Sequence, residues 1–272
     1  MSIFTQIFKD RRDFTETTMS RIFFISDAHL GLKKNKEQQE KYLLNFFEYV
    51  ESKADSLYIL GDLFDFWFEY RSVIPRRYWP VLCALKKLVD HGVKLTYVTG
   101  NHDFWMGNFF QDELGVQVYD EPLKIQIDEK RFYIAHGDGL TKKDVGYRIL
   151  KKVLRHPMNI RLYRLLHPDV GFAIASFFSR LSRNCREVKN RDVEYIQFAK
   201  NRFSEGFDFV ILAHTHRPQE FRENDQTYIN TGDWMHYFTY GKFEKGRLKL
   251  KYWLKEKKPD LQKGTSEAYS LV

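Results

Sequence analysis

Five short apolar runs, each ending in an Asp or His, constrain this chain more than any other feature. They are "RIFFISD" (21–27), "SLYILGD" (56–62), "KLTYVTGNHD" (94–103), "RFYIAHGD" (131–138) and "FDFVILAHTH" (207–216). Their length, aromatic and β-branched content and flanking turn residues are those of buried strands. Between the early runs the period changes to that of a helix. Residues 37–53 space Tyr42, Phe46, Tyr49 and Val50 along one face, and residues 79–91 do the same with Leu82, Leu85, Leu88 and Val89. Strand and helix therefore alternate, which predicts an α/β sheet. After His216 the runs shorten to "QTYINTGD", "MHYFTYGKFE" and "RLKLKYWL". These read as antiparallel ribbons closing the domain.

The strand ends carry the chemistry. "SDAH" offers Asp27 and His29, "GDLFD" offers Asp62, "GNHD" offers Asn101, His102 and Asp103, "HGD" offers His136, and "HTH" offers His214 and His216. Residues two apart share a face of a strand, so Asp27 and His29 are expected side by side. Taken singly each motif has a plain reading, since GD and HGD are common turns and a paired histidine can be a satisfied surface pair. Taken together at the carboxyl ends of strands, where α/β sheets assemble their sites, they can converge. Imidazole, carboxylate and amide oxygen without thiolate suit Mn, Fe or Zn. Even without His102 and Asp103, the seven remaining donors are too many for one catalytic ion that keeps an open position. Two divalent ions sharing a carboxylate resolve the count, and a pair of this kind cleaves phosphoesters.

Charge sets apart one segment. The formal net charge is +8, yet residues 142–202 hold 15 Lys or Arg against 5 Asp or Glu, a net of +10, and the remainder is slightly acidic. That segment has helical spacing, is broken at Pro157 and Pro168, and contains the apolar run "VGFAIASFF" (170–178). It reads as a helical insertion above the sheet, suited to anionic partners such as phosphates or acidic headgroups, or else as a solvated helical face. The expected organisation is an N-terminal extension (1–20), a core (21–141 and 203–255), a helical lid (142–202) and a polar tail (256–272). No run is long enough for a membrane-spanning helix. The charged residues among the first 20 argue against an export signal, and Cys83 and Cys185 form no paired motif. A cytoplasmic protein is expected.

The ordered series D-x-H, GD, GNHD, HGD and H-T-H resembles that of the calcineurin-like metallophosphoesterases, over residues 21 to about 240 apart from the insertion. The resemblance implies a two-sheet αββα sandwich. It also implies a ligand scheme in which one ion takes Asp27, His29, Asp62 and His216, and the other takes Asp62, Asn101, His136 and His214, with Asp62 bridging. His102 would polarise the phosphoryl group or protonate the leaving oxygen, with Asp103 as its supporting partner.

Longer stretches, "SLYILGDLFDFWFEY", "GNHDFWMG", "HGDGLTKKDVGY", "AHTHRP" and "NTGDW", resemble the UDP-2,3-diacylglucosamine diphosphatase branch of that family. That branch implies hydrolysis of a UDP-linked acylated glucosamine, in lipid A synthesis, to UMP and 2,3-diacylglucosamine 1-phosphate. The insertion would accommodate the acyl chains, through residues such as Phe172, Phe177 and Phe178, and would touch an anionic membrane surface. Asp144 stands at the branch's spacing after HGD, and Tyr147, Asn184 and Arg186 are further candidate substrate contacts. The better-known members carry Arg in place of His102, and their N-S-K stretch is matched here only as Asn184, Cys185 and Arg186. A metallophosphoesterase acting on another phosphodiester, such as a soluble nucleotide or nucleic acid, is the alternative; under the favoured reading nucleic acid is not the expected partner.

Overall fold

The computed structural model describes residues 20–31, 36–140, 145–184 and 191–254. Asp144 and Arg186 lie outside the described residues, as do the side chains of Tyr147, Phe178 and Asn184. In chain order the first half comprises β1 (Ile22–Ile25), α1 (Lys36–Lys53), β2 (Ser56–Ile59), α2 (Trp79–Asp90), β3 (Lys94–Val98), α3 (Phe109–Asp112), β4 (Gln117–Tyr119), β5 (Leu123–Ile127) and β6 (Lys130–Ile134). There follow α4 (Val145–Leu154), α5 (Pro157–Tyr163), α6 (Pro168–Asn184), α7 (Arg191–Ser204), β7 (Phe209–Leu212), β8 (Gln219–Glu223), β9 (Gln226–Asn230), β10 (Thr239–Glu244) and β11 (Arg247–Tyr252).

The strands form two sheets, ordered β11-β10-β1-β2-β3-β4 and β5-β6-β7-β9-β8. β1 shows how side-chain alternation builds four layers. Ile22 and Phe24 face the second sheet and pack with Phe132, Ile134, Phe209, Ile211 and Phe243. Phe23 and Ile25 face the other way, into a core completed by Leu43, Phe46, Phe47 and Val50 of α1 and by Val81, Leu82, Leu85 and Leu88 of α2. On the far side of the second sheet, Tyr195, Ala199 and Phe203 of α7 cover Val210, Leu212 and Tyr228. The order helix, sheet, sheet, helix is the expected αββα sandwich. Glu37 in the first turn of α1 and Lys53 in its last complement the helix dipole.

β1, β2, β3 and β4 run parallel, and so do β6, β7 and β9. The carboxyl ends of β1, β2 and β3 therefore lie at one edge, as do those of β6 and β7, and all five motifs leave the sandwich there. Two features depart from the expected pattern. β9, read as part of a terminal antiparallel ribbon, is an interior strand parallel to β7 and antiparallel to β8. The β10–β11 hairpin is antiparallel as expected, but it joins the first sheet beside β1. Partner choice is decided by packing over long sequence separations, to which local pattern is blind. β4, β5 and β8 are short or half exposed and give little periodic signal.

The basic segment divides in two. α7 belongs to the sandwich, whereas α4, α5 and α6 stand on an aromatic platform at the site edge. Phe66 contacts Phe172 and Tyr163, and Trp105 contacts Tyr163, with ring centroids 5.2, 6.0 and 5.0 Å apart. The Trp105 indole donates to the Leu154 carbonyl at 3.0 Å. Pro157 and Pro168 are the first residues of α5 and α6, where a missing N–H is harmless. Each of these helices shows exposed apolar residues at helical spacing: Ile149 and Val153 on α4; Met158 and Leu162 on α5, continued by Leu165 in the turn after it; Val170, Ile174 and Phe177 on α6. Among the described residues no helix is long and apolar enough to cross a membrane.

Candidate metal centre

The backbone at the strand ends is unusual. Asp27, His29, Asp62, His214 and His216 all have positive φ, from 43° to 70°. Non-glycine residues in this region cost of order 1–3 kcal/mol each, and such residues cluster where the fold forces side chains into a site. The expectation that Asp27 and His29 would share a strand face reached the right pairing by another route, since β1 ends at Ile25 and both side chains are aimed by left-handed loop residues. Gly100 lets two loops meet, because a Cβ there would collide with the backbone and carboxylate of Asp62.

The side chains gather in two sets and a third group that shares a residue with each. Ligand atoms of Asp27, His29 and His216 lie within 4.8 Å of one another, as do those of Asp62, His136 and His214, and those of His29, Asp62 and His102. Asp62 Oδ2 stands between the sets, 3.6 Å from His29 Nε2 and 3.4 Å from His136 Nε2. Asp27 Oδ1 is 3.4 Å from His216 Nε2 and 3.7 Å from His29 Nε2. His136 Nε2 lies 3.2 Å from both the Asn101 amide oxygen and His214 Nδ1. All seven expected ligand residues are thus brought together.

The histidines are held by their other nitrogens. His136 Nδ1 is 2.7 Å from the Leu60 carbonyl, which can only accept, so Nδ1 donates there and Nε2 is the nitrogen left facing the cluster, where its lone pair is available to an ion that displaces its proton. His29 Nδ1 faces Asp65 at 3.5 Å, and His216 Nδ1 faces Asp233 at 3.7 Å. These two carboxylates were not picked out from the sequence, although both stand inside quoted motifs, GDLFD and NTGDW. Asp233 also accepts from the His236 and Tyr237 amides at 2.8 and 2.9 Å, which ties its turn to the site. His102 Nδ1 donates to the Asp65 carbonyl at 2.9 Å. Asp103, expected to support His102, braces the loops: it accepts from the Leu63 and Gly100 amides at 3.0 and 2.9 Å and from the Tyr97 hydroxyl.

The electrostatics fit a cation. Burial opposes charge on Asp27, yet His216, His29 and His136 outweigh it and hold the carboxyl below its ordinary range. Burial opposes charge on Asp62 too, but His136, His102 and His29 hold it well below. Burial likewise disfavours charge on His29 and His136, but Asp27, Asp65 and Asp62 lift His29 to about 9, and Asp62 and Asp27 lift His136 to about 10. His102 goes the other way, lowered to about 4 by burial. Burial and the Asp62 charge raise Asp103 to about 6. Asp27 Oδ1, Asp62 Oδ2 and His29 Nε2 are buried and have no hydrogen-bond partner among the described residues. Buried polar atoms of this kind call for a partner, and nitrogen and oxygen donors without sulfur suit a divalent ion.

A four-layer sandwich that gathers buried imidazoles and carboxylates at its strand ends is the architecture of a metal-dependent hydrolase. The family described as calcineurin-like phosphoesterase matches residues 20–218. A UDP-2,3-diacylglucosamine hydrolase of Porphyromonas gingivalis is 30% identical over 253 residues, covering 85% of this chain and 97% of the relative. Proteins of the same name from Haemophilus influenzae and Nitrosococcus oceani are 30% and 33% identical, covering 79% and 72% of this chain and 91% and 78% of the relatives. The chain belongs to the calcineurin-like phosphoesterase family, and it is a hydrolase of phosphoester or diphosphate bonds with a site for divalent metal ions.

Proposed function

We propose that this enzyme hydrolyses the diphosphate of UDP-2,3-diacylglucosamine to UMP and 2,3-diacylglucosamine 1-phosphate. One ion would be held by Asp27, His29, Asp62 and His216, and the other by Asp62, Asn101, His136 and His214. The observation that carries the two-ion reading is the position of Asp62 Oδ2 between two imidazole sets. Divalent ions there, Mn²⁺ in our reading with Fe or Zn as the other choices, would supply positive charge for the phosphoryl oxygens and acidify an attacking water. His102 lies against this cluster with Nδ1 donating to a carbonyl, so its Nε2 can donate only as imidazolium. An arriving diphosphate, by its negative charge, favours that form and equips His102 to protonate the leaving oxygen or stabilise its charge.

The substrate reading draws on the named relatives and on the insertion. Apolar stripes left exposed on α4, α5 and α6 would meet acyl chains and the surface of the membrane from which a lipid substrate is drawn, while neighbouring Lys and Arg favour its anionic headgroups. The enzyme would then be a cytoplasmic protein bound peripherally at the inner face of the inner membrane. Asp144, Tyr147, Asn184 and Arg186 remain candidate substrate contacts. The deciding experiment is product analysis with UDP-2,3-diacylglucosamine on metal-depleted and Mn²⁺-reconstituted protein. UMP and the lipid 1-phosphate should appear only after reconstitution. Faster turnover of soluble nucleotide diesters than of the lipid would overturn the substrate.

A further inference from the structure

The loop that continues from Asp103, together with α4 and α5, lines a cavity of about 140 Å³. Phe68, Phe104 and Trp105 supply aromatic walls, and Arg155, Arg164 and Asp120 supply charge. The walls are fixed in advance. The Glu69 carboxylate accepts from the Gly107 and Asn108 amides at 2.9 and 3.0 Å, and Trp105 is tied to the end of α4. The Arg155 guanidinium lies 5.0 Å from the Phe104 ring centroid and reaches the Asp120 carbonyl and the Thr99 hydroxyl at 3.3 and 3.4 Å. Its Nε, and that of Arg164, are buried without a hydrogen-bond acceptor among the described residues. Two like charges thus line the cavity, beside a carboxylate that accepts from the Thr99 hydroxyl through Oδ1 at 3.0 Å.

We propose that this cavity binds the uracil base of a uridine nucleotide, an inference that rests on the uridine-nucleotide substrate read above and assigns its base a place. The pairing edge of uracil presents carbonyl, N–H, carbonyl. Guanidinium donors match the two carbonyls, the Asp120 carboxylate matches the N–H, and the aromatic walls match the ring faces. Cytosine would set a bare ring nitrogen against the carboxylate and an amino group against a guanidinium, so the cavity discriminates by hydrogen bonding as well as by shape. Phe104 follows His102 by two residues in the same loop. The same loop thus joins the cavity to the metal centre, and in the proposed pose the phosphates extend from the base along it.

The test uses full-length Mn²⁺-loaded enzyme and two readouts, calorimetric binding of UMP and CMP and turnover of a small chromogenic phosphodiester. UMP should bind about tenfold or more tightly than CMP. Arg164→Gln should weaken UMP binding by about tenfold or more while diester turnover stays unchanged, which also shows that the variant is folded. Asp120→Asn, which offers an amide donor, should shift preference toward CMP. Equal binding of UMP and CMP, or UMP binding unchanged in Arg164→Gln, overturns the base site even if the lipid substrate is hydrolysed. Arg164-dependent UMP binding in a protein that does not hydrolyse UDP-2,3-diacylglucosamine would instead overturn the substrate reading and leave the base site standing.

Discussion

Asp62 is the residue on which the site turns, because its two oxygens do different work: Oδ2 lies between the imidazole sets and Oδ1 accepts the His102 amide at 2.9 Å. Asp62→Ala should abolish activity and reduce bound metal from both positions, measured by elemental analysis; near wild-type turnover would remove the two-ion assignment. Gly100→Ala tests the same group through its neighbour, since the added methyl would displace the Asp62 carboxylate. Metal content and activity should fall together in that variant, and retention of both would show that the loops can part. His102 poses a different question, because it lies within ligand reach of His29 and Asp62 yet is held through Nδ1 by a carbonyl. His102→Ala should lower kcat by roughly 100-fold or more with metal content nearly intact. Loss of metal in step with activity would make His102 a ligand.

At the scale of elements, α4, α5 and α6 present outward stripes on helices that already pack on Phe66 and Trp105 through their other faces. Leu165 is 81% exposed and Phe177 64% exposed. Phe172, by contrast, packs on Phe66 and lies over Arg77 with 5.0 Å from guanidinium to ring centroid, so it anchors α6 and its replacement would disturb folding. Replacing Leu162, Leu165 and Phe177 by polar residues should therefore impair hydrolysis of the diacylated substrate, where buried apolar area contributes about 25 cal/mol per Å². Turnover of a small phosphodiester should be spared. Equal loss on both substrates would show that the stripes support the fold rather than meet lipid.

For the molecule as a whole, the protonation of the centre links metal loading to pH. His29 and His136, lifted to about 9 and about 10, carry protons near neutrality when no ion is bound, and an ion must displace them. Apparent metal affinity should therefore tighten as pH rises from 7 toward 9, with proton release measurable by calorimetry in buffers of different ionisation heat. Affinity independent of pH over this range would mean that the histidines are already neutral. The sign for stability follows too. The protonated histidines stabilise the metal-free fold below about pH 6.5, their unfolded value, and that contribution is lost as pH rises through about 9 to 10. Added metal should restore stability at the alkaline end, seen as a rise in Tm.

The donors of the site were legible along the chain because strand ends announce themselves: an apolar run stops, and Asp, Asn or His takes its place, as at Asp27, Asp62, Asn101, His136 and His214. Helix period likewise marked α1 and α2, whose buried faces were readable from Leu82, Leu85 and Leu88. Local pattern carries chemistry and period, and those two were enough for an α/β sheet with metal-ligating donors at its strand ends; the two-sheet sandwich and the division of ligands between two ions were implied by the resemblance to the metallophosphoesterases. Local pattern does not carry partners. That β9 lies beside β7, that Asp65 and Asp233 stand behind His29 and His216, and that Arg155 and Arg164 share a cavity with Asp120 all depend on segments tens of residues apart being packed together. The left-handed backbone at five of the ligand residues is decided in the same way, since only the surrounding packing can hold non-glycine residues in a conformation their own sequence disfavours.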